Sequence, residues 1–487
     1  APPGVGWGAP PTTPTPETQV DREARLSPRT IALAGLALAI TFLVAAILDR
    51  RISTDVFWQM AAGQWMLAHH AVIGLDPFSY TESHRHWVST EWGSEVILAS
   101  LYKVVGAAAY NLIAIFTGSL CLICTMLYAR ALGARGGRLA AIVLVLAMGI
   151  VGYVGQDRGL SFSLIWLPLE LLILTKARTN QRLLWWLPPL CLLWVNTHGS
   201  ILVGLAVLAA ELGWSLAPTV LVERLGGRGR SPFPARLALI GLISLGAACI
   251  SPYGPRLLTY DLSVAHNPQI GKYIEEWQSP NFGSIVVVAT FLIFLAVIVV
   301  ALRRRPIMLL EATVTLACLV GALHAVRIVI YAMVGVAGLA ASLPPRAEWG
   351  PRARRIAGAL GIAAVLFLVI LPAVPAGSVT TDTPVAAFNY LSDHPGRIFT
   401  QYSWEDYAIA RHRQTFADGR TDLFSGQVLT EFFAVSDLTT DPDPILAHYD
   451  VRYVLWARNT PLEKYLSHDS RWVVVDRTVQ GVVFERR

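Results

Sequence analysis

STDVFWQMAAGQWMLAHHAVIGLDPFSYTESHRHWVSTEWGSEVIL, residues 53–98, follows the first long apolar run of the chain and differs from the plain aliphatic sequence around it. Tryptophans, histidines and carboxylates crowd into it. Trp58 and Trp65 are seven apart, so a helix puts them on one face. Asp76-Pro77 makes a turn, because proline drives the residue before it out of the helical region. Glu91-Trp92 opens a second amphipathic segment. The spacing predicts two short helices, near 55–70 and 92–104, in a loop 49–106 lying at a membrane surface.

Outward from that loop, the composition sets the class. Of 487 residues 54% are hydrophobic and only 15% are charged, against roughly 25% charged in a soluble domain. Apolar runs of about 18 residues or more recur, each long enough to cross a bilayer. The chain reads as a polytopic α-helical membrane protein. A net charge of +6 fits basic cytoplasmic loops; no compact basic-aromatic module points to nucleic acid. All five cysteines fall in apolar runs, which argues against a disulfide framework or a zinc site. Cys121 and Cys124 have CxxC spacing inside a membrane helix, where packing is their expected role.

Residues 1–28 are rich in proline and threonine and are expected to form a disordered cytoplasmic tail. Arg22, Arg25 and Arg29 precede the first span and set the N-terminus inside. About eleven spans follow in a transmembrane domain, 29–376: near 30–48, 107–129, 138–155, 160–175, 183–195, 200–218, 237–251, 284–302, 306–323, 328–343 and 356–374. The arginine clusters between them alternate with motifs that mix acids, aromatics and histidines. Orientation by the arginines puts Asp55, Glu91, Asp157, Arg158, His198, Glu275 and Arg327 at one face, the outer one. The remainder, 377–487, reads as a small extracytoplasmic α/β domain. RIFTQ (397–401), YVLWA (453–457), WVVVD (472–476) and GVVFE (481–485) read as its strands, and segments near 384–392, 425–436 and 461–467 as its helices. The Asp418-Gly419-Arg420-Thr421-Asp422 turn, the most polar of the domain, reads as a solvated loop with an internal Asp–Arg pair ahead of a catalytic role.

This face carries the groups that sugar transfer from a lipid phosphate needs. An acceptor hydroxyl loses its proton to a carboxylate as it attacks. The leaving phosphate is met by cations, and rings stack on the sugar. Asp55 is the first candidate base, with Glu91 and Asp157 behind it. Ser53-Thr54-Asp55 is equally a helix start signal, and Glu91 a cap for the second helix. Arg158 and Arg327 are phosphate candidates, or arginines snorkelling to the interface. Lys272 and His198 join the binding set, although a histidine packed by hydrogen bonds is the commoner outcome. Trp58, Trp87 and Trp92 are candidates to shape the sugar site. His69-His70 and His84-x-His86 have no specific metal spacing, and no metal ligands are assigned.

DVFWQMAAGQWML, LDPFSYT, HWVSTEW, WVNTHG, SPYG, IEEWQSPNF and FADGRTDLF resemble a group of bacterial membrane proteins related to the mannosyltransferase-like branch of the GT-C superfamily. That superfamily includes protein mannosyltransferases, aminoarabinose transferases and arabinosyltransferases. The resemblance covers nearly the whole chain beyond the N-terminal tail. It implies a GT-C-like fold in the bacterial cytoplasmic (inner) membrane and a polyprenyl-phosphate-linked sugar as donor. An extracytoplasmic glycan, lipid or protein would be the acceptor. It gives Asp55 the role of catalytic or metal-holding carboxylate, with a divalent metal as the one cofactor to consider. Many members carry two adjacent acids where this chain has Thr54-Asp55. The other readings are a lipid-linked glycan flippase, for which Glu170 and Glu211 are the in-span candidates, and a non-catalytic envelope scaffold.

Overall fold

A computed structural model describes residues 27–48, 53–154, 160–265, 268–304, 306–344 and 383–487. The tail before Ser27, Asp157, Arg158 and the span expected at 356–374 lie outside the described residues. In chain order the helices begin with α1 (Pro28–Leu48), α2 (Asp55–His69), α3 (Trp92–Val105), α4 (Ala108–Ala131), α5 (Gly136–Val154) and α6 (Leu160–Ala177). They continue with α7 (Leu187–Thr197), α8 (Ile201–Leu216), α9 (Pro234–Ala248), α10 (Arg256–Ala265), α11 (Ile285–Arg303), α12 (Leu309–His324) and α13 (Val329–Ser342). Among the described residues three stretches, Pro28–Ala45, Ala108–Ala131 and Ile285–Arg303, are long and apolar enough to cross a membrane. α11 keeps Ile285, Leu292, Leu295 and Leu302 exposed, as a helix facing lipid would. α13 is the opposite case: nearly every residue is buried, and it forms the centre of the bundle.

Small residues let the helices close. α1 crosses α5 with Gly35 directly on Ala140, where an added methyl group would collide. Gly335 and Gly338 of α13 lie in the same way on Thr315 and Tyr128. Close approach through small side chains is how helices gain packing energy where lipid offers no hydrophobic drive. The fifth expected span starts later than its apolar run. Gln181–Trp186 forms a 3-10 turn, and α7 begins at Leu187 with prolines in its first turn. Proline is tolerated there because those amides have no helical partner.

The C-terminal unit holds α14 (Val385–Ser392), β1 (Arg397–Thr400), α15 (Tyr402–Ala410), α16 (Gly426–Ser436), α17 (Pro442–His448), β2 (Val451–Ala457), α18 (Pro461–His468), β3 (Trp472–Arg477) and β4 (Gly481–Arg486). Its four strands run in the order β1-β2-β4-β3, parallel between β1 and β2 and antiparallel for the other two pairs. All four expected strands and three expected helices are present; α15 and α17 are additional. The core of this unit is not its own. Ala62, Met66, Ile73, Tyr80 and Trp87 of the 53–98 stretch are buried in one cluster with Phe399, Phe416, Phe424, Phe432, Trp456 and Phe484.

Candidate functional site

The site grows from the head of α2. Asp55 is its first residue, so the carboxylate sits at the positive end of the helix dipole. The expected cap is not made: Thr54 precedes the helix in helical geometry without bonding an amide of the first turn. Its hydroxyl lies near Asp406, on α15 of the C-terminal unit, a helix that packs directly on α2. Asp406 in turn accepts a 2.8 Å bond from the amide of Gly419. A methyl group on Gly419 would lie 2.8 Å from Oδ1 of Asp55, 3.0 Å from Oδ1 of Asp406 and 3.0 Å from Nε1 of Trp58. Only glycine fits there. Burial and the nearby Asp418 push the Asp406 carboxyl up to about 7.

Asp418, Arg420 and Thr421 of the turn around Gly419 are buried, which corrects the expected solvated loop. The internal pair is present: Arg420 donates to Asp418 through Nε at 2.8 Å and Nη2 at 2.6 Å. Its Nη1 reaches Asp76 at 2.5 Å. Asp76 also accepts from the amides of Phe78 and Ser79, each at 3.0 Å. The guanidinium lies over the rings of Trp87 and Phe78, 4.8 and 5.1 Å from their centroids. A buried cation between two carboxylates and two π faces is the arrangement that offsets desolvation. Thr415 and Phe78 exchange backbone bonds with their neighbours across the same seam, Thr415 N to Phe78 O at 3.0 Å and Tyr80 N to Thr415 O at 3.1 Å. Tyr260 closes the third side, donating to Asp422 at 2.6 Å.

One turn along α2 from Asp55, on the same face, Gln59 donates to Oε2 of Glu91 at 2.6 Å. Oε1 of Glu91 is 3.1 Å from Nε2 of His198, at ion-pair distance but out of line for a hydrogen bond. Nδ1 of His198 accepts from the Ser200 amide at 2.9 Å, which leaves the ring proton on Nε2, towards Glu91. Trp92 donates to Asn196 at 3.0 Å and pins α3 to the end of α7. Below them Glu95 accepts from Ser89 at 2.7 Å, its second oxygen has no partner, and burial pushes it up to about 8.

Asp55, Trp58, Glu91, Trp92 and His198 are thus brought to one region. Trp87 is buried at 2% exposure and has Arg420 on its face; it supports Trp58, whose ring is 5.9 Å away, and offers no ring to a sugar. Arg327 and Lys272 belong to a different pair of turns. Arg327 stacks on Trp277 at 4.5 Å, and Lys272 donates to Tyr273 at 2.9 Å. Among the described residues no three His, Cys, Asp or Glu side chains converge as a metal site requires. Asp406, Asp76 and Gln59 escaped the sequence reading. Asp76-Pro77 was legible as a turn, but nothing local marks a partner more than three hundred residues away.

The chain has a GT-C-like fold. It superposes on the archaeal oligosaccharyltransferase AglB of Archaeoglobus fulgidus, solved with an inhibitory peptide and a dolichol-phosphate. The TM-score is 0.67 at 11% identity, over 90% of this chain and 70% of that one. It also superposes on ArnT of Cupriavidus metallidurans bound to undecaprenyl phosphate, with TM-score 0.58 at 13% identity, over 93% of this chain and 97% of that one. No protein-family model and no curated protein matches the sequence.

Proposed function

We propose that the protein is a membrane glycosyltransferase that moves a sugar from a polyprenyl-phosphate donor to a glycan, lipid or protein acceptor. The observation that carries this reading is Asp55 at the head of α2, at the meeting point of both halves of a GT-C fold. The acceptor hydroxyl gives its proton to Asp55, its oxygen bonds the anomeric carbon, and the bond from that carbon to phosphate oxygen breaks. The phosphate leaves with the electron pair, and Arg158, Arg327 and Lys272 are the cations assigned to receive it. Glu91, held by Gln59 and facing His198, is the second carboxylate, with Asp157 a third. Trp58 and Trp92 flank the sugar. In this reading eleven spans run from a cytoplasmic N-terminus, residues 29–376 form the transmembrane domain, and 377–487 lie outside a bacterial inner membrane.

Native mass spectrometry of the purified protein tests the donor. A bound polyprenyl-phosphate sugar that is lost in Arg327→Ala supports the assignment. Asp55→Asn that keeps the lipid but transfers at the wild-type rate sinks the mechanism. One observation favours a flippase: both carboxyl oxygens of Glu170, buried in α6 beside Trp194, have no hydrogen-bond partner. Glu211, the other flippase candidate, is held by Arg178 at 3.3 Å. Lipid translocation by the Asp55→Asn variant in vesicles separates the two.

A further inference from the structure

Asp406 touches three elements at one point, and only one of them is its own helix. It accepts from the Gly419 amide of the 418–422 turn at 2.8 Å, lies near the hydroxyl of Thr54 immediately before α2, and is itself 1% exposed. The residue it fastens, Gly419, is the one on which an added methyl group would collide with Asp55 and Trp58. The Asp55 and Asp406 oxygens that such a methyl group would meet lie within about 6 Å of each other, inside the roughly 4–6 Å over which charged groups act strongly on one another. Thr54 is the neighbour of Asp55 in sequence, so a bond from Asp406 to its hydroxyl would fix the backbone from which the Asp55 side chain departs. We propose that Asp406 is a positioning residue for Asp55: from the C-terminal unit, it fastens Thr54 and Gly419 so that the Asp55 carboxylate is held in one orientation for proton abstraction. The inference rests on the transferase reading above. It gives the C-terminal unit a direct part in the chemistry, beyond covering the site.

Asparagine can keep both bonds, since its amide oxygen accepts from Gly419 and its amide nitrogen donates to the hydroxyl of Thr54. Alanine keeps neither. The experiment measures transfer by the full-length detergent-purified protein with its polyprenyl-phosphate sugar donor, for wild type, Asp406→Ala, Asp406→Asn and Thr54→Val. Loss of orientation costs on the order of a hundredfold. Asp406→Ala is therefore expected to lose about a hundredfold in kcat at unchanged donor KM, Thr54→Val about tenfold, and Asp406→Asn is expected to recover at least tenfold of the alanine loss. A kcat for Asp406→Ala within twofold of wild type overturns the proposal, as does a loss confined to KM or an asparagine variant no better than alanine. Thermal midpoints of Thr54→Val, Asp406→Ala and the double variant supply a readout without turnover. The fastening predicts a double variant less destabilised than the sum of the singles, and strict additivity overturns it. A wild-type protein that binds donor but transfers nothing defeats the transferase reading itself, and this role with it. That outcome is distinct from an active wild type with an unaffected Asp406→Ala.

Discussion

At the scale of single residues, two positions in the 418–422 turn dominate. Gly419→Ala forces a methyl group to 2.8 Å from Oδ1 of Asp55. Overpacking of this kind costs about 1–3 kcal/mol. A purified Gly419→Ala protein is expected to melt a few degrees lower and to lose transfer by more than its melting shift explains. Arg420→Ala leaves Asp76 and Asp418 buried without their cation, a loss of about 3–5 kcal/mol. Arg420→Lys is expected to recover little, since lysine cannot bridge two carboxylates with a planar fork; thermal unfolding checks both. A third prediction concerns pH. Glu95 is pushed up to about 8 and Asp406 to about 7 by burial, so the unfolded chain ionises first, near 4. Their stabilisation is therefore fullest in acid and is lost as pH rises from about 4 through 8. Glu95→Gln keeps the Ser89 bond and removes one titration. Its melting point relative to wild type is expected to rise by several degrees between pH 5 and pH 8.5, and a flat difference would refute the assignment. The Asp418–Arg420 pair was legible because its partners are two residues apart. Its burial was not, because burial depends on Asp76, 344 residues away.

At the scale of elements, the apolar runs announced their helices well. Ten of the expected spans appear as helices within the described residues, with ends shifted by a few residues. The run near 183–195 was the exception in kind, because hydropathy does not register the double proline that delays α7 until Leu187. Pairing among helices was not legible. Arg178 at the end of α6 reaches Glu211 of α8 at 3.3 Å and Glu311 of α12 at 3.4 Å, and no spacing in the sequence joins those three. Since the carboxylates are buried, Arg178→Ala is expected to cost about 3–5 kcal/mol. Replacing all three with apolar residues of similar volume is expected to cost less than the single change, which a comparison of melting points in detergent decides.

At the scale of the whole molecule, the strands and helices of the C-terminal unit were readable from alternation, but its dependence on the first loop was not. Alternation reports which face of a strand is apolar and says nothing of what covers it. Here the cover is Tyr80, whose hydroxyl donates to the carbonyl of Ile398 at 2.7 Å, together with Met66 and Trp87. A fragment 383–487 made alone exposes that surface, and it is expected to bind a hydrophobic dye and to digest faster than the same region in the intact protein. The seam between residues 76–82 and 415–425 also sets an order of events at the ribosome. The loop after the first span is synthesised more than three hundred residues before the turn that closes it. At about 5–20 residues per second, the Asp55 carboxylate waits on the order of tens of seconds for Asp406 and Gly419 to emerge. On the proposed reading, until then the growing chain carries Asp55 without the groups that would aim it.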